Sequence, residues 1–371
     1  MKIIVAYASA GAGHFKAAQA IFNYLREHCP VAELKLVDVL DESSSFFAFL
    51  YRWGYSFLVR RAVFMWAIAF FLTDFKPLRS FSRKIAIFIN RINTADFAKF
   101  LIQENPDIII STHFLPSEIA AYLKRNKKIN SELITQVTDF GLHPFWISEG
   151  TDIYIVSSGR GREELIRSGV RTDIIKEFGI PIDSKFRKDF DKNELYKKFN
   201  LDSGNFTVLI MTGSFGTGPI EGIVDKLCND VQVLIVCANN KKLYSRLLKK
   251  NLPNVRVFGF VDNAQELMAV SDIIITKPGG LSIAESLAMD LFPVFISPIP
   301  GQETENIKAL ALEGVGVYPK DINKIKDIVI DFKKHPEKLI SAREIIRKIK
   351  KPDALRGIFD VVCANSAWDS C

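Results

Sequence analysis

Short runs of β-branched residues alternate with helical patterns along almost the whole chain, and that alternation limits the fold more than any other feature. The runs include "KIIVAYA", "DIIIST" (107–112), "LITQVT" (133–138) and "DIYIVSS" (152–158). Further on come "FTVLIMT" (206–212), "VQVLIVCA" (231–238), "VRVFGFV" (255–261), "DIIITK" (272–277) and "FPVFIS" (292–297). Continuously apolar strands separated by helices predict parallel sheets covered on both faces. A chain of 371 residues is comfortable for two such units. "FGIPID" (178–183) and the charged stretch from 184 to 199 separate the halves. The reading is therefore α/β, with two doubly wound Rossmann-like domains, 1–183 and 184–351, facing a cleft.

One segment breaks the rhythm. Residues 44–88 hold 14 of the chain's 42 aromatic residues, mixed with arginines. The chain's net charge of +7 comes from the region between Ser44 and Phe100, leaving the remainder near neutral. The longest uncharged run here, Ala62 to Thr73, has 12 residues, fewer than the ~20 of a spanning helix. Aromatic and basic residues together suit the headgroup region of a bilayer, with Trp53, Arg60, Arg61 and Trp66 as candidate contacts. An amphipathic core helix with snorkelling arginines is the alternative. No nucleic-acid motif accompanies the basic patch, so nucleic acid is not expected as a partner. Five scattered cysteines without metal-ligand spacing suit a reducing cytosol, and the N-terminus "MKIIVAYASAGAGH" reads as a first strand rather than a signal peptide.

Four stretches could carry chemistry. In "SAGAGHFKAA", Gly11 and Gly13 follow the first strand and His14 opens a helix. The third glycine of a dinucleotide fingerprint would fall on Lys16, and the acid after the second strand, Asp38, is only loosely in place, so a nicotinamide enzyme has weak support. A histidine at a helix N-terminus is favoured neutral and available as a base, although a surface cap would look the same. "VTDFGLHPFW" brings Asp139, His143 and Trp146 to the carboxyl end of a strand, where α/β sheets bind ligands. "MTGSFGTGP" is a second glycine turn, with Gly213 and Ser214 but without the Lys-Ser/Thr ending of a P-loop. "TKPGGLSIAES" followed by "PIPGQETEN" sets a glycine pair and Glu285 at a helix start, then Gln302, Glu303 and Asn306 beyond the next strand. Glycines admit a ligand to the backbone, and helix N-termini attract anions.

Together these motifs resemble family 28 glycosyltransferases of the GT-B fold. They are most similar to the diacylglycerol glycosyltransferases: the plant monogalactosyldiacylglycerol synthases and the bacterial processive diacylglycerol β-glucosyltransferases. The likeness runs from residue 1 to about 350, and the final "NSAWDSC" has no counterpart. It implies an inverting transfer of a hexose from UDP-glucose or UDP-galactose to diacylglycerol, with no cofactor and no catalytic metal. By that resemblance Glu285 binds the ribose of UDP, while Gly280, Leu281 and Ser282 meet the diphosphate together with Gly213 and Ser214. Phe260 lies against the uracil, and Gln302 and Glu303 read the hexose. His14 is the candidate base, with Asp139 assisting it or acting as the base itself. Gly11, Gly13, His143 and Trp146 belong to the acceptor side. Anionic lipid is the expected surface, with the protein peripheral on the cytoplasmic face, and a helix over about 352–371 is expected to pack back on the first domain. Transfer of N-acetylglucosamine to a polyprenyl-linked acceptor, a UDP-sugar 2-epimerase, and a non-catalytic UDP-sugar sensor on membranes are the rival readings.

Overall fold

The computed structural model describes residues 1–9, 11–61, 85 and 87–364, and within them the side chains of 55, 56 and 58–61 are left aside. The chain forms two compact units. The first gathers Met1–Asp183, Ile299–Glu305 and the chain from Lys351 onward, and the second gathers Ser184–Pro298 and Asn306–Lys350.

The first unit is built on a six-stranded, wholly parallel sheet of order β2-β1-β3-β4-β5-β6. Its strands are β1 Lys2–Tyr7, β2 Glu33–Asp38, β3 Ile108–Ser111, β4 Glu132–Gln136, β5 Ile153–Ile155 and β6 Ile175–Lys176. Its helices are α1 Ala12–His28, α2 Ser45–Arg61, α3 Ala95–Glu104, α4 Phe114–Arg125 and α5 Gly159–Arg167. Successive strand side chains point to opposite faces, so the apolar runs feed two cores. Ile3, Val5, Ile108 and Ile110 pack with Ile21 and Leu25 of α1, and with Leu355, Ile358 and Val362 of the late helix Ala354–Ala364. Ile4, Ala6, Ile109 and Leu133 pack on the other face with Phe47 of α2, Phe97 and Leu101 of α3, and Leu115 of α4. The two-residue β6 is absent from the sequence reading because so short a strand carries no period.

The second unit holds a five-stranded parallel sheet of order β11-β10-β7-β8-β9. Its strands are β7 Thr207–Met211, β8 Gln232–Val236, β9 Val255–Phe258, β10 Ile273–Thr276 and β11 Phe292–Phe295. Its helices are α6 Lys192–Lys198, α7 Ile220–Leu227, α8 Lys241–Lys250, α9 Ala264–Ala269, α10 Gly280–Ala288, α11 Gln302–Leu312 from Asn306 onward, α12 Lys324–Lys334 and α13 Pro336–Ile349, while the start of α11, residues 302–305, and the helix α14 Ala354–Ala364 belong to the first unit. Each sheet has one place where the chain reverses its direction of growth, between β1 and β3 in the first and between β7 and β10 in the second. Ligands of open parallel sheets bind outside the strand carboxyl ends at such switch points.

Candidate active site

In the first unit three adjacent strands, β1, β3 and β4, deliver polar residues to one sheet edge. β1 leads through Ser9 to Gly11, the N-cap of α1, which has extended backbone and no side-chain cap, and then to Gly13 and His14 in the first turn. β3 leads to Thr112 and His113, and β4 to Thr138 and Asp139. His14 Nδ1 lies 2.9 Å from the Thr112 carbonyl and 2.9 Å from Thr138 Oγ1. A carbonyl only accepts, so Nδ1 carries the proton in the neutral ring and Nε2 keeps its lone pair. The ring meets His113 edge-on at 4.6 Å and Trp146 at 6.2 Å. Burial holds the His14 pKa below the ordinary histidine value, opposed by the nearby Asp139 charge and the Thr112 hydrogen bond. His113 is buried, its Nδ1 accepts from the Leu115 amide as the N-cap of α4, and burial first, then the proximity of His14, pushes its pKa well down.

Asp139 is buried and accepts Gln302 Nε2 at 2.9 Å on each oxygen. The Trp146 indole N–H adds a longer contact of 3.4 Å, so this buried tryptophan orients the carboxylate. His143 caps the short turn Pro144–Trp146, its Nδ1 accepting from Phe145. A cavity of about 320 Å³ opens beside Asp139, His143, Glu164, Glu305 and Gln302. Arg160 ties two of its carboxylates together, donating to Glu164 at 2.9 Å and to Glu305 at 2.5 Å. A Cβ at Gly141 would stand 2.6 Å from that of Glu305, so only glycine lets the chain pass there. Glu303 is buried with Oε2 on the Ile299 amide at 2.6 Å, which fastens its own loop.

In the second unit two glycine turns leave β7 and β10, whose last residues, Met211 and Thr276, are paired. They therefore flank the switch point of that sheet. The turn after β7 contains Gly213, Gly216 and Gly218, all at positive φ. Ser214 O accepts from both the amide and the side chain of Asn239, and Asn240 Nδ2 donates to Gly216 O at 2.9 Å, so the turn is held from β8. The turn after β10 ends at Gly279, the N-cap of α10, again without a side-chain cap. The free amides of Gly280, Leu281 and Ser282 thus open α10, and Glu285 lies buried one turn further in. Asn306, fully buried, donates to Pro278 O at 3.0 Å and braces this turn. Phe260 lies beyond the end of β9 and is exposed.

The aromatic segment forms α2, and Trp53 is one of five large apolar residues on it, with Phe46, Phe49, Leu50 and Phe57, that are 42–74% exposed. Their spacing puts them on one helix face. Trp53 stacks on Phe49 and on Phe57, with ring planes within 11°. The side chains of Arg60 and Arg61, and all of Trp66, lie outside the described residues. No helix among the described residues is long and apolar enough to cross a membrane.

Sequence reasoning passed over Thr112, His113 and Thr138. Their only signal is position, since each lies within two residues of the end of a buried strand.

Two family models match the chain: monogalactosyldiacylglycerol synthase over residues 14–182 and the glycosyltransferase family 28 C-terminal domain over 207–342. A processive diacylglycerol β-glucosyltransferase of Staphylococcus epidermidis is 30% identical, the match covering 94% of this chain and 89% of the relative. One from Bacillus cereus is 27% identical over 98% of this chain and 94% of its own. Among solved structures, Anabaena HepE in complex with UDP superposes with a TM-score of 0.58 at 14% identity, covering 98% of this chain and 100% of that one, a likeness of fold.

Proposed function

The chain belongs to the diacylglycerol glycosyltransferases of glycosyltransferase family 28, and from that premise we propose that it transfers a hexose from UDP-glucose or UDP-galactose to diacylglycerol, with inversion, while sitting peripherally on the cytoplasmic face of a membrane. The observation that carries this reading is the fixed imidazole. With Nδ1–H committed to the Thr112 carbonyl, His14 Nε2 is the basic atom, and burial keeps it unprotonated near neutral pH.

The acceptor hydroxyl gives its proton to Nε2 as its oxygen attacks the anomeric carbon. The bond to the UDP oxygen breaks with the electron pair on the diphosphate, and a β-linked glycolipid results. Asp139 stabilises the imidazolium as the proton arrives, in the same sense as its effect on the His14 pKa. The diphosphate charge is met by the open amides at the start of α10 and by Gly213 and Ser214. Glu285 takes the ribose, the backbone near Phe260 the uracil, and Gln302 and Glu303 the hexose hydroxyls. His143 and Trp146 shape the acceptor side with Gly11 and Gly13. The apolar face of α2 supports lipid contact through Trp53, joined on sequence grounds by Arg60, Arg61 and Trp66, with anionic headgroups favoured by the basic segment.

The test is transfer to diacylglycerol in anionic vesicles with UDP-glucose, UDP-galactose and UDP-N-acetylglucosamine in separate reactions. One hexose donor is expected to give a glycolipid, and His14→Ala to lower the rate by ~10²-fold or more. UDP binding without glycolipid from either hexose donor overturns the acceptor assignment. Unchanged turnover in His14→Ala overturns the base.

A further inference from the structure

Helix α2 has a second working face besides its exposed apolar one. Arg52 reaches from it to three acceptors. Its Nε donates to Ser9 Oγ at 2.7 Å, and its Nη2 donates to Asp38 at 2.9 Å and to Asp41 at 2.5 Å. Asp38 is buried at the end of β2, and its other oxygen accepts the amides of Ser9 at 3.2 Å and Leu40 at 3.0 Å. Ser9 stands two residues before Gly11, the N-cap of α1, whose first turn holds His14. One guanidinium therefore joins α2 to the loop that delivers the base, both directly and through Asp38. The neighbouring Tyr51 makes a parallel line of contact: its ring stands 6.3 Å from that of His113, which in turn lies edge-on to His14.

We infer that Arg52 is a positioning residue that couples the seating of α2 on a lipid surface to the entry of α1, whose first turn carries His14, so that transfer runs faster on a bilayer than on a dispersed acceptor. The inference rests on the lipid-acting reading above. Among the described residues, Phe46, Phe49, Leu50, Trp53 and Phe57 form an exposed apolar face on α2. A bilayer covers that side and narrows the positions α2 can take. Whatever it favours in α2 is passed to Ser9 and Asp38 by a rigid planar fork that engages several acceptors at once, which a lysine ammonium on a flexible stem does not reproduce. Without the bilayer, the loop still has the bonds of the Asp38 carboxylate to the Ser9 and Leu40 amides, which sustain the basal rate.

The experiment compares full-length wild type, Arg52→Gln, Arg52→Lys and Trp53→Ala. Each is assayed with long-chain diacylglycerol in phosphatidylglycerol-containing vesicles and with dihexanoylglycerol below its aggregation concentration, and vesicle cosedimentation is measured alongside. Arg52→Gln is expected to bind vesicles and to turn over the dispersed acceptor like wild type, yet to lose on the order of tenfold in kcat on vesicles, the size of an ordinary coupling between sites. Trp53→Ala loses vesicle binding itself. Arg52→Lys keeps a countercharge for Asp38 and so guards against misfolding; it should melt like wild type and still lose most of the vesicle stimulation. Equal losses with both acceptors, or full vesicle activity in Arg52→Gln, overturn the coupling. A wild type that makes glycolipid equally fast on both acceptors also overturns it while leaving the functional reading intact. A wild type that glycosylates neither acceptor defeats the functional reading, and the coupling falls with it.

Discussion

Thr112 and His14 hold each other by two hydrogen bonds: the Thr112 hydroxyl donates to the His14 carbonyl at 2.9 Å, and His14 Nδ1–H donates to the Thr112 carbonyl at 2.9 Å. One bond fixes the backbone of the first turn of α1, the other the tautomer and tilt of the ring. Thr138 Oγ1, at 2.9 Å from the same Nδ1, completes the grip. Thr138→Val removes that third contact and leaves both Thr112 bonds. A net hydrogen bond is worth ~1 kcal/mol, so kcat should fall by ~3- to 10-fold. KM for the UDP-sugar should not move, because Thr138 meets the His14 ring while the turns assigned to the diphosphate lie in the other unit. Steady-state kinetics with both substrates varied checks the split.

The acid limb of the pH–rate profile is expected below the ordinary histidine value of 6.5, because burial lowers the His14 pKa. The base works when neutral, so activity is retained as pH falls to that lowered value and is lost below it. The Asp139 charge opposes the shift. Removing it with Asp139→Asn should move the acid limb further down while reducing the maximal rate, since the imidazolium formed in the step loses its counter-charge. A limb that moves up in the variant would mean that Asp139 acts on the rate by another route.

Much of this arrangement is legible in the sequence, and the exceptions share a cause. The parallel sheets can be read because β-branched runs buried on both faces have few other uses, Asp139 because it directly follows such a run, and His14 because it opens the helix after one. Thr112, His113 and Thr138 are also at strand ends, but threonines there are ordinary. What brings them to His14 is the register of β1 with β3 and of β3 with β4, Ala6 against Ser111 and Ser111 against Thr135, which only the pairing supplies. Trp146 shows the converse. An aromatic in a loop looks like a ligand contact, whereas its burial and its indole bond to Asp139 depend on how the turn after His143 folds inward. Gln302 and Glu303 are equivalent as letters. The helix start sends one to Asp139 and the other to the Ile299 amide.

Acid stability should report on His113. Its folded-state pKa lies well below its unfolded value, so below pH ~6.5 the unfolded chain binds a proton that the folded chain refuses. Stability is therefore unaffected above that pH and falls as the pH drops toward the folded-state value, by at most ~1.4 kcal/mol per pH unit for one such proton. His113→Asn keeps a side chain able to cap α4 and removes the titration. Urea midpoints at pH 7.5 and 5.5 should differ less in the variant than in wild type. An equal difference would show that His113 does not contribute to the acid sensitivity.

Two glycines six residues apart should respond oppositely to the same substitution. Gly216 has φ +53, and a Cβ there would stand 2.2 Å from the Cys237 carbonyl, so the turn after β7 would have to move off β8. Gly222 is exposed within α7, with nothing within 4 Å of its added Cβ. Gly216→Ala combines backbone strain with a clash against main chain that cannot rotate away. It should lower the melting temperature and weaken UDP binding, because Ser214 sits on the displaced turn and is held there through Asn239. Gly222→Ala should raise stability by roughly 0.5–1 kcal/mol through helix propensity alone and leave UDP affinity unchanged. Thermal melts with and without UDP, together with titration calorimetry, separate the two effects. Gly216→Ala with wild-type affinity for UDP would remove the turn after β7 from the donor site and leave the α10 N-terminus to hold the diphosphate alone.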